Sequence, residues 1–169
     1  MSYTTASEML IRFGGTEMAQ VATSDEAVVV DVGLLRLTVT GGDRSSYDPA
    51  LVAVADAALS RINLAIGEAE SKINAYLGSR YPLPIGAEVI ASGCLPGICA
   101  DVARYLLHDN QVIEVVAQRY AAAMRWLQDV AAGRANLGAD ADSPSMPSGA
   151  GMPDFVAHGD PIDVTGYWA

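Results

Sequence analysis

The longest hydrophobic pattern in the chain predicts a single helix over residues 49–77. Asp48 and Pro49 form a strong helix start, because Asp is a favoured N-cap and Pro fits the first helical position. Gly78 stands where a left-handed C-terminal cap is expected. At about 1.5 Å per residue the helix is roughly 43 Å long, which suits an assembly in which helices of neighbouring subunits lie side by side. Apolar residues recur at spacings of three and four: Leu51, Val54, Ala58, Ile62, Ala65, Ala69, Ile73 and Tyr76.

Shorter helices are predicted on both sides of this one. Residues 4–13 begin with Thr5 and Glu8 at the spacing of a capping box and end at Gly14, and residues 16–22 form a second short helix. After the long helix, one helix runs from about residue 95 to 108 and the last from 111 to 132, capped by Asp109 and Asn110. Together these helices predict a core that contains Ile62, Ile73, Leu77, Val102, Leu106, Tyr120, Ala123 and Leu127.

Residues 25–47 depart from the helical pattern and predict a β-hairpin insertion. Residues 28–30 and 35–39 are β-branched or apolar runs, joined by a connection that contains Gly33 and followed by the turn-forming residues 40–48. An isolated hairpin is only marginally stable in water. We therefore expect this one to lean on the helices or on another subunit.

The segment after the long helix predicts a rigid elbow formed by Arg80, Tyr81, Pro82 and Pro84. Each proline fixes its own φ and disfavours helix for the residue before it, so residues 80–85 must be extended. Tyr81 can then pack back on the helices. A plain surface loop is the alternative.

Composition places these elements in one mainly α domain. The chain has 169 residues, 51% of them hydrophobic and 28 of them alanine, but only 7% are aromatic. That balance favours closely packed helices over a β-sandwich. The predicted fold is a small helical bundle with one long helix, a β-hairpin insertion and an extended C-terminal tail. The helical domain spans residues 1–138, and the tail spans 139–169.

Charge and cysteine usage narrow the function classes. Ten Lys and Arg against twenty Asp and Glu argue against sequence-specific DNA binding as the main role. Cys94 and Cys99 are too few for a disulfide framework, and the first 13 residues do not resemble a signal peptide. The longest uncharged apolar run, residues 89–100, is too short to span a membrane. We expect a soluble protein of a reducing cytoplasm with no membrane partner.

The tail has an unusual composition. Residues 135–169 contain five Asp, four of the eight prolines and no Lys or Arg. Such a segment cannot bury enough apolar surface to fold alone. We expect it to dock on neighbouring subunits, with Phe155, Tyr167 and Trp168 as anchors in partner pockets.

No catalytic or metal-binding constellation is recognisable, so we expect neither an enzyme nor a cofactor. Cys94 and Cys99 lack zinc-ribbon spacing, and no nucleophile elbow or phosphate-binding loop is present. His108 is interpreted as a charge that complements a helix end. A structural ion-pair cluster is expected among four residues of the last two helices: Asp101, Arg104, Arg119 and Arg125.

Three blocks in register resemble the family of Mu-like tailed-phage and prophage head-completion proteins. The first is the pattern I-x-x-Y-L-x-x-R-Y-x-L-P, which begins at Ile73. The second is CADVARYLLHD from Cys99, and the third is R-Y-x4-R-W-L-x-D-x3-G from Arg119. The start of the chain, from Tyr3 to Gly14, is also similar to the family. The resemblance covers residues 3–24 and 49–138.

The resemblance implies a head–tail adaptor, or connector, of the virion neck. Such proteins form a ring, typically a dodecamer, under the portal protein, and they contact the next neck or tail-completion protein. Genomic DNA passes through the ring without specific binding, and assembly occurs in the bacterial cytoplasm. Another neck or minor virion component, of the stopper or tail-terminator type, is the first alternative. A small helical enzyme is the second.

Overall fold

The computed structural model describes residues 2–23, 28–109 and 112–137, and within these ranges the chain forms seven α-helices. Their bounds are α1 Ala6–Phe13, α2 Gly15–Ala22, α3 Val32–Thr40, α4 Pro49–Leu77, α5 Ala87–Ser92, α6 Leu95–Leu107 and α7 Glu114–Ala131. The mainly helical fold predicted from the sequence is confirmed. The division into a domain and a tail at residue 138 stays a prediction, because the residues from 138 onward lie outside the described ranges.

The long helix α4 is the axis of the fold and has the predicted bounds. The Asp48 carboxylate accepts a hydrogen bond from the backbone N–H of Ala50 at 2.7 Å, and Pro49 opens the first turn. One face packs along α6, and α4 also contacts α3 and α7. Gly78 is not the expected left-handed cap, since its φ is −60°. The buried face consists of Ala55, Ala58, Ile62, Ala65, Ile66, Ala69, Ile73 and Leu77.

The predicted β-hairpin is wrong, because residues 32–40 form the helix α3. The Asp31 carboxylate caps this helix by accepting a hydrogen bond from the backbone N–H of Leu34 at 2.9 Å. Gly41 ends it in the left-handed conformation, with a φ of 68°. Leu34, Leu35 and Thr38 lie on the buried face. These caps and a helical apolar spacing outweigh the β-branched composition of the segment, and no strand occurs in the described ranges.

Among the other helices, one predicted cap is confirmed, one helix begins later than predicted, and one helix was not predicted. The capping box of α1 is confirmed, with Thr5 Oγ1 accepting from the Glu8 N–H at 3.2 Å and Glu8 Oε2 accepting from the Thr5 N–H at 2.9 Å. However, α7 begins at Glu114 with Ile113 as its N-cap, three residues later than predicted. The six-residue helix α5 was not predicted, because its pattern is too short to reveal a period.

Six of the eight predicted core residues are buried, whereas Leu106 and Tyr120 are only half-buried. The buried stripe of α6 includes Cys99, Ala103 and Leu107, so Leu106 falls at its edge. Tyr120 lies beside the core, with its ring stacked on that of Tyr105 at a centroid distance of 3.9 Å.

By length and composition, α4 is the one helix of the described ranges that could cross a membrane. Core helices of folded proteins meet the same criterion. In this fold the helix buries one face against its neighbours, but only 28% of the 18-residue apolar stretch that meets this criterion is buried. The unburied share of this stretch makes the outward face of α4 a candidate contact surface.

Because Leu107 is buried and Leu106 is only half-buried, alanine substitutions at these two positions of α6 should lower the free energy of unfolding by different amounts. Leu107→Ala should lower the free energy of unfolding by about 2–5 kcal/mol, because it opens a cavity in the core. Leu106→Ala should cost less, since its side chain is already partly in contact with water. Urea unfolding of both variants measures the difference. An equal or larger loss for Leu106→Ala would contradict the buried face described here.

Candidate interaction site

The outward face of α4 carries small side chains at heptad spacing. This face lies opposite the core stripe, and its residues recur at alternating intervals of three and four, so they line up along one side of the helix. Leu64 is the largest member and is 63% exposed. The positions of this outward stripe, all exposed, are Ala50, Ala53, Ala57, Ser60, Leu64, Gly67 and Ser71.

The middle of the outward stripe forms a shallow groove. It is lined by Asn63, Leu64, Gly67, Glu68, Ser71 and Lys72. A Cβ atom added at Gly67 would meet no atom within 4 Å. Because Gly67 and Ser71 have small side chains, the backbone of another helix can approach α4 closely at this point. The surface is therefore suited to helix–helix contact rather than to a small ligand.

The predicted elbow connects the end of α4 with the end of α7. Arg80 Nη1 donates a hydrogen bond to the carbonyl oxygen of Val130 at 3.0 Å. Tyr81 is buried, and its hydroxyl oxygen accepts a hydrogen bond from the Leu137 N–H at 3.3 Å. Arg80 thus ties the elbow to the last turn of α7, and Tyr81 ties it to the chain that follows.

The two prolines of the elbow lie at the surface. Pro82 and Pro84 are both exposed, and the peptide bond between Leu83 and Pro84 is cis. Residues 80–85 are not helical. The rigidity of the elbow, and the alternative of a plain surface loop, stay predictions.

A partly buried ionic cluster joins α2 to α6, and its carboxylate, Glu17, was not identified from the sequence. Arg104 is 8% exposed and binds both carboxylate oxygens of Glu17, at 2.5 and 2.8 Å. His108 Nε2 lies 3.3 Å from Glu17 Oε1. The guanidinium of Arg104 also lies over the ring of Phe13, 4.6 Å from its centroid. The predicted cluster on the last two helices is therefore wrong about Arg104, whose partner comes from α2.

The predicted ion pair between Asp101 and Arg119 is present, but the contact is long and exposed. Arg119 Nη1 lies 3.9 Å from Asp101 Oδ1, and the Arg119 side chain is mostly exposed. Such surface pairs contribute little to stability. His108 lies at the end of α6, as interpreted from the sequence, but it also faces the Glu17 carboxylate.

The predicted tail anchors Phe155, Tyr167 and Trp168 lie outside the described residues. Among the residues that are described, no group of three or more His, Cys, Asp or Glu side chains could hold a metal ion. Cys94 is exposed and Cys99 is buried, and both are free thiols.

Comparisons with known proteins point to one family. The chain matches the family model described as "Bacteriophage Mu, Gp36" over residues 3–153. The Mu-like prophage FluMu protein gp36 of Haemophilus influenzae is 32% identical over 89 residues, which cover 53% of this chain and 61% of that protein. Gene product J of Escherichia phage Mu is 28% identical over 85 residues, which cover 50% of this chain and 58% of that protein. The aligned part thus spans about three-fifths of each curated relative.

The partly buried pair of Glu17 and Arg104 predicts a measurable loss of stability from a nearly isosteric change. Glu17→Gln leaves the Arg104 guanidinium buried without a carboxylate and should lower the free energy of unfolding by about 1–3 kcal/mol. The matched control Arg119→Gln removes only an exposed pair and should change it by less than about 0.5 kcal/mol. Chemical denaturation at neutral pH compares the two. Equal effects would show that the Glu17 contact does not stabilise the fold.

Proposed function

We propose, from the premise that this chain belongs to the bacteriophage Mu Gp36 family, that it is a structural protein of the virion. In this proposal it is a head–tail connector adaptor that forms a ring, of about twelve copies, under the portal protein. The ring helps to complete DNA-filled heads and to join the tail through the next neck protein. It acts in the neck of the particle and assembles in the bacterial cytoplasm.

The observation that carries the proposal is the outward stripe of α4. A closed ring repeats one heterologous interface around an axis, so each subunit needs two different contact surfaces. The outward stripe supplies an uncharged surface along the 29-residue helix α4, and its small side chains permit close approach of a neighbouring helix. A helix that buries one face in its own core and leaves such a stripe exposed is suited to a lateral contact between subunits.

Charge supports a position around a DNA conduit. The chain has a formal net charge of −10 at pH 7. Like charge disfavours adhesion of DNA to the protein, so the genome can pass through a ring of such subunits without being held. The acidic balance is therefore compatible with a role next to DNA that does not involve DNA recognition.

The tail provides a second set of contacts in this proposal. Phe155, Tyr167 and Trp168 would insert into pockets of the portal or of a neighbouring subunit, since buried aromatic side chains are common hot spots of interfaces. The Asp residues of the tail would then meet basic residues of the partner, because residues 135–169 contain no Lys or Arg.

The lateral contact is tested by placing the same bulky charge inside and outside the outward stripe. Ala57→Arg and Gly67→Arg should prevent ring formation in assembled necks, because a long charged side chain blocks close helix approach. Ala122→Arg on the exposed face of α7 is the matched control and should assemble normally. Electron microscopy of necks from complemented particles measures assembly. If all three variants assemble alike, the outward stripe is not the subunit contact.

The virion role is tested by deletion of the gene in the phage or prophage. Particles without the protein should package DNA but fail to retain it or to join tails. Mass spectrometry of purified wild-type particles should detect the protein in several copies per particle. Detection in the neck together with a different particle defect would favour a stopper or tail-terminator role. Normal tailed particles without the protein would overturn the proposal.

A further inference from the structure

A groove separate from the outward stripe lies between the N-terminal segment and the α5–α6 region. It encloses about 850 Å³. Tyr3, Glu8 and Arg12 line one wall, and Ile90, Cys94 and Gly97 line the other. The groove therefore combines an apolar side wall with charged groups on the α1 side.

The described part of the chain ends beside this groove. Leu137 is buried, and its carbonyl oxygen lies 3.4 Å from the position that a Cβ of Gly93 would occupy. Gly93 itself lines the groove, and a Cβ there would also come within 2.7 Å of the Val89 carbonyl oxygen. The 32 residues that follow Leu137 therefore start at the edge of the groove.

The far end of the groove carries positive charge. Arg12 Nη1 lies 3.4 Å from the position of a Cβ on Gly97, in the first turn of α6. No side chain caps that helix end at Cys94, so its N–H groups add a partial positive charge. Arg12 has no ion pair within the ranges that the structure describes.

The Glu8 carboxylate in the groove already has two hydrogen-bond donors from its own segment. Glu8 Oε2 accepts hydrogen bonds from the Thr5 N–H at 2.9 Å and from Thr4 Oγ1 at 3.1 Å. These contacts hold the negative charge at the start of α1. Arg12 therefore stays available to an acidic group that enters from the Gly93 side.

We infer that residues 138–142 of the same chain lie in this groove, with Asp140 and Asp142 against Arg12 and the first turn of α6. Three extended residues reach about 10 Å, whereas Gly93 and Gly97 are only four residues apart across the start of α6, and both line the groove. The intervening Ala139 and Ala141 are small enough to pass the apolar wall. The direct connection to Leu137 gives this segment a much higher effective concentration than any free partner.

Cys94 provides a reporter in the unmodified full-length chain. Its thiol is exposed in the groove, whereas Cys99 is fully buried, and burial raises the pKa of the Cys99 thiol to about 12. The groove walls partly desolvate the Cys94 thiol and raise its pKa as well, so all variants are compared at one fixed pH. Alkylation followed by mass spectrometry then measures access to Cys94, and unreactive Cys99 is the internal control for folding.

The charge contact is tested by the alkylation rate. Asp140→Asn combined with Asp142→Asn, and separately Arg12→Gln, should each raise the rate at Cys94 by about three- to fivefold, the size of a partly exposed ion pair. Arg12→Lys should retain most of the protection. The distal double variant Asp154→Asn and Asp160→Asn is the matched control and should leave the rate unchanged. Equal rates in all variants would overturn the inference.

A cross-link tests which chain occupies the groove. In full-length Ala141→Cys, mild oxidation should form a disulfide with Cys94 within one chain, because the two Cα atoms must come within about 7 Å. The yield should fall when Arg12→Gln is added and should be low for the distal control Ala157→Cys. A disulfide between two chains would assign the groove to the tail of another copy and overturn the inference. Equal yields for Ala141→Cys with and without Arg12→Gln would also contradict it.

Discussion

The burial of one face of α4 against α6 is the contact on which the other elements depend. Ile62, Ile73 and Leu77 are fully buried on α4, and Val102 is fully buried on α6, which packs along it. Because α4 also contacts α3 and α7, the short helices are positioned through it rather than through one another alone. The consequence is geometric: a helix with only one covered side exposes the opposite side along its whole length.

Much of this arrangement could be predicted from local signals. The bounds of α4, the capping box of α1 and six of eight core positions follow from spacing and caps that lie within a few residues of one another. The helix α3 was misinterpreted because its Val and Thr residues favour strands locally, whereas burial of Leu34 and Leu35 against α4 depends on the tertiary structure. The sequence pattern did not distinguish which of Leu106 and Leu107 faces the core, because two adjacent positions lie only about 100° apart around a helix.

The candidate site was less accessible to prediction, because its contacts join residues far apart in the chain. Glu17 and Arg104 are separated by 87 positions, and no spacing rule connects them. The groove beside Leu137 likewise exists only once α1, α5 and α6 are packed. In contrast, the outward stripe of α4 is encoded in the sequence as a heptad of small residues. It is detectable only after the core stripe has been assigned, since both share the same period.

The distribution of charge constrains where the acidic tail can find partners. All ten Lys and Arg residues lie before position 135, so tail carboxylates can meet opposite charge only on the helical body or on another molecule. Arg44, Arg104, Arg119 and Arg134 already face carboxylates within the described ranges. Arg12 differs from these four because it faces a groove at the point where the described chain ends. A contact there would neutralise part of the negative charge of residues 138–142. The distal, aromatic part of the tail would then be free to reach a neighbouring protein.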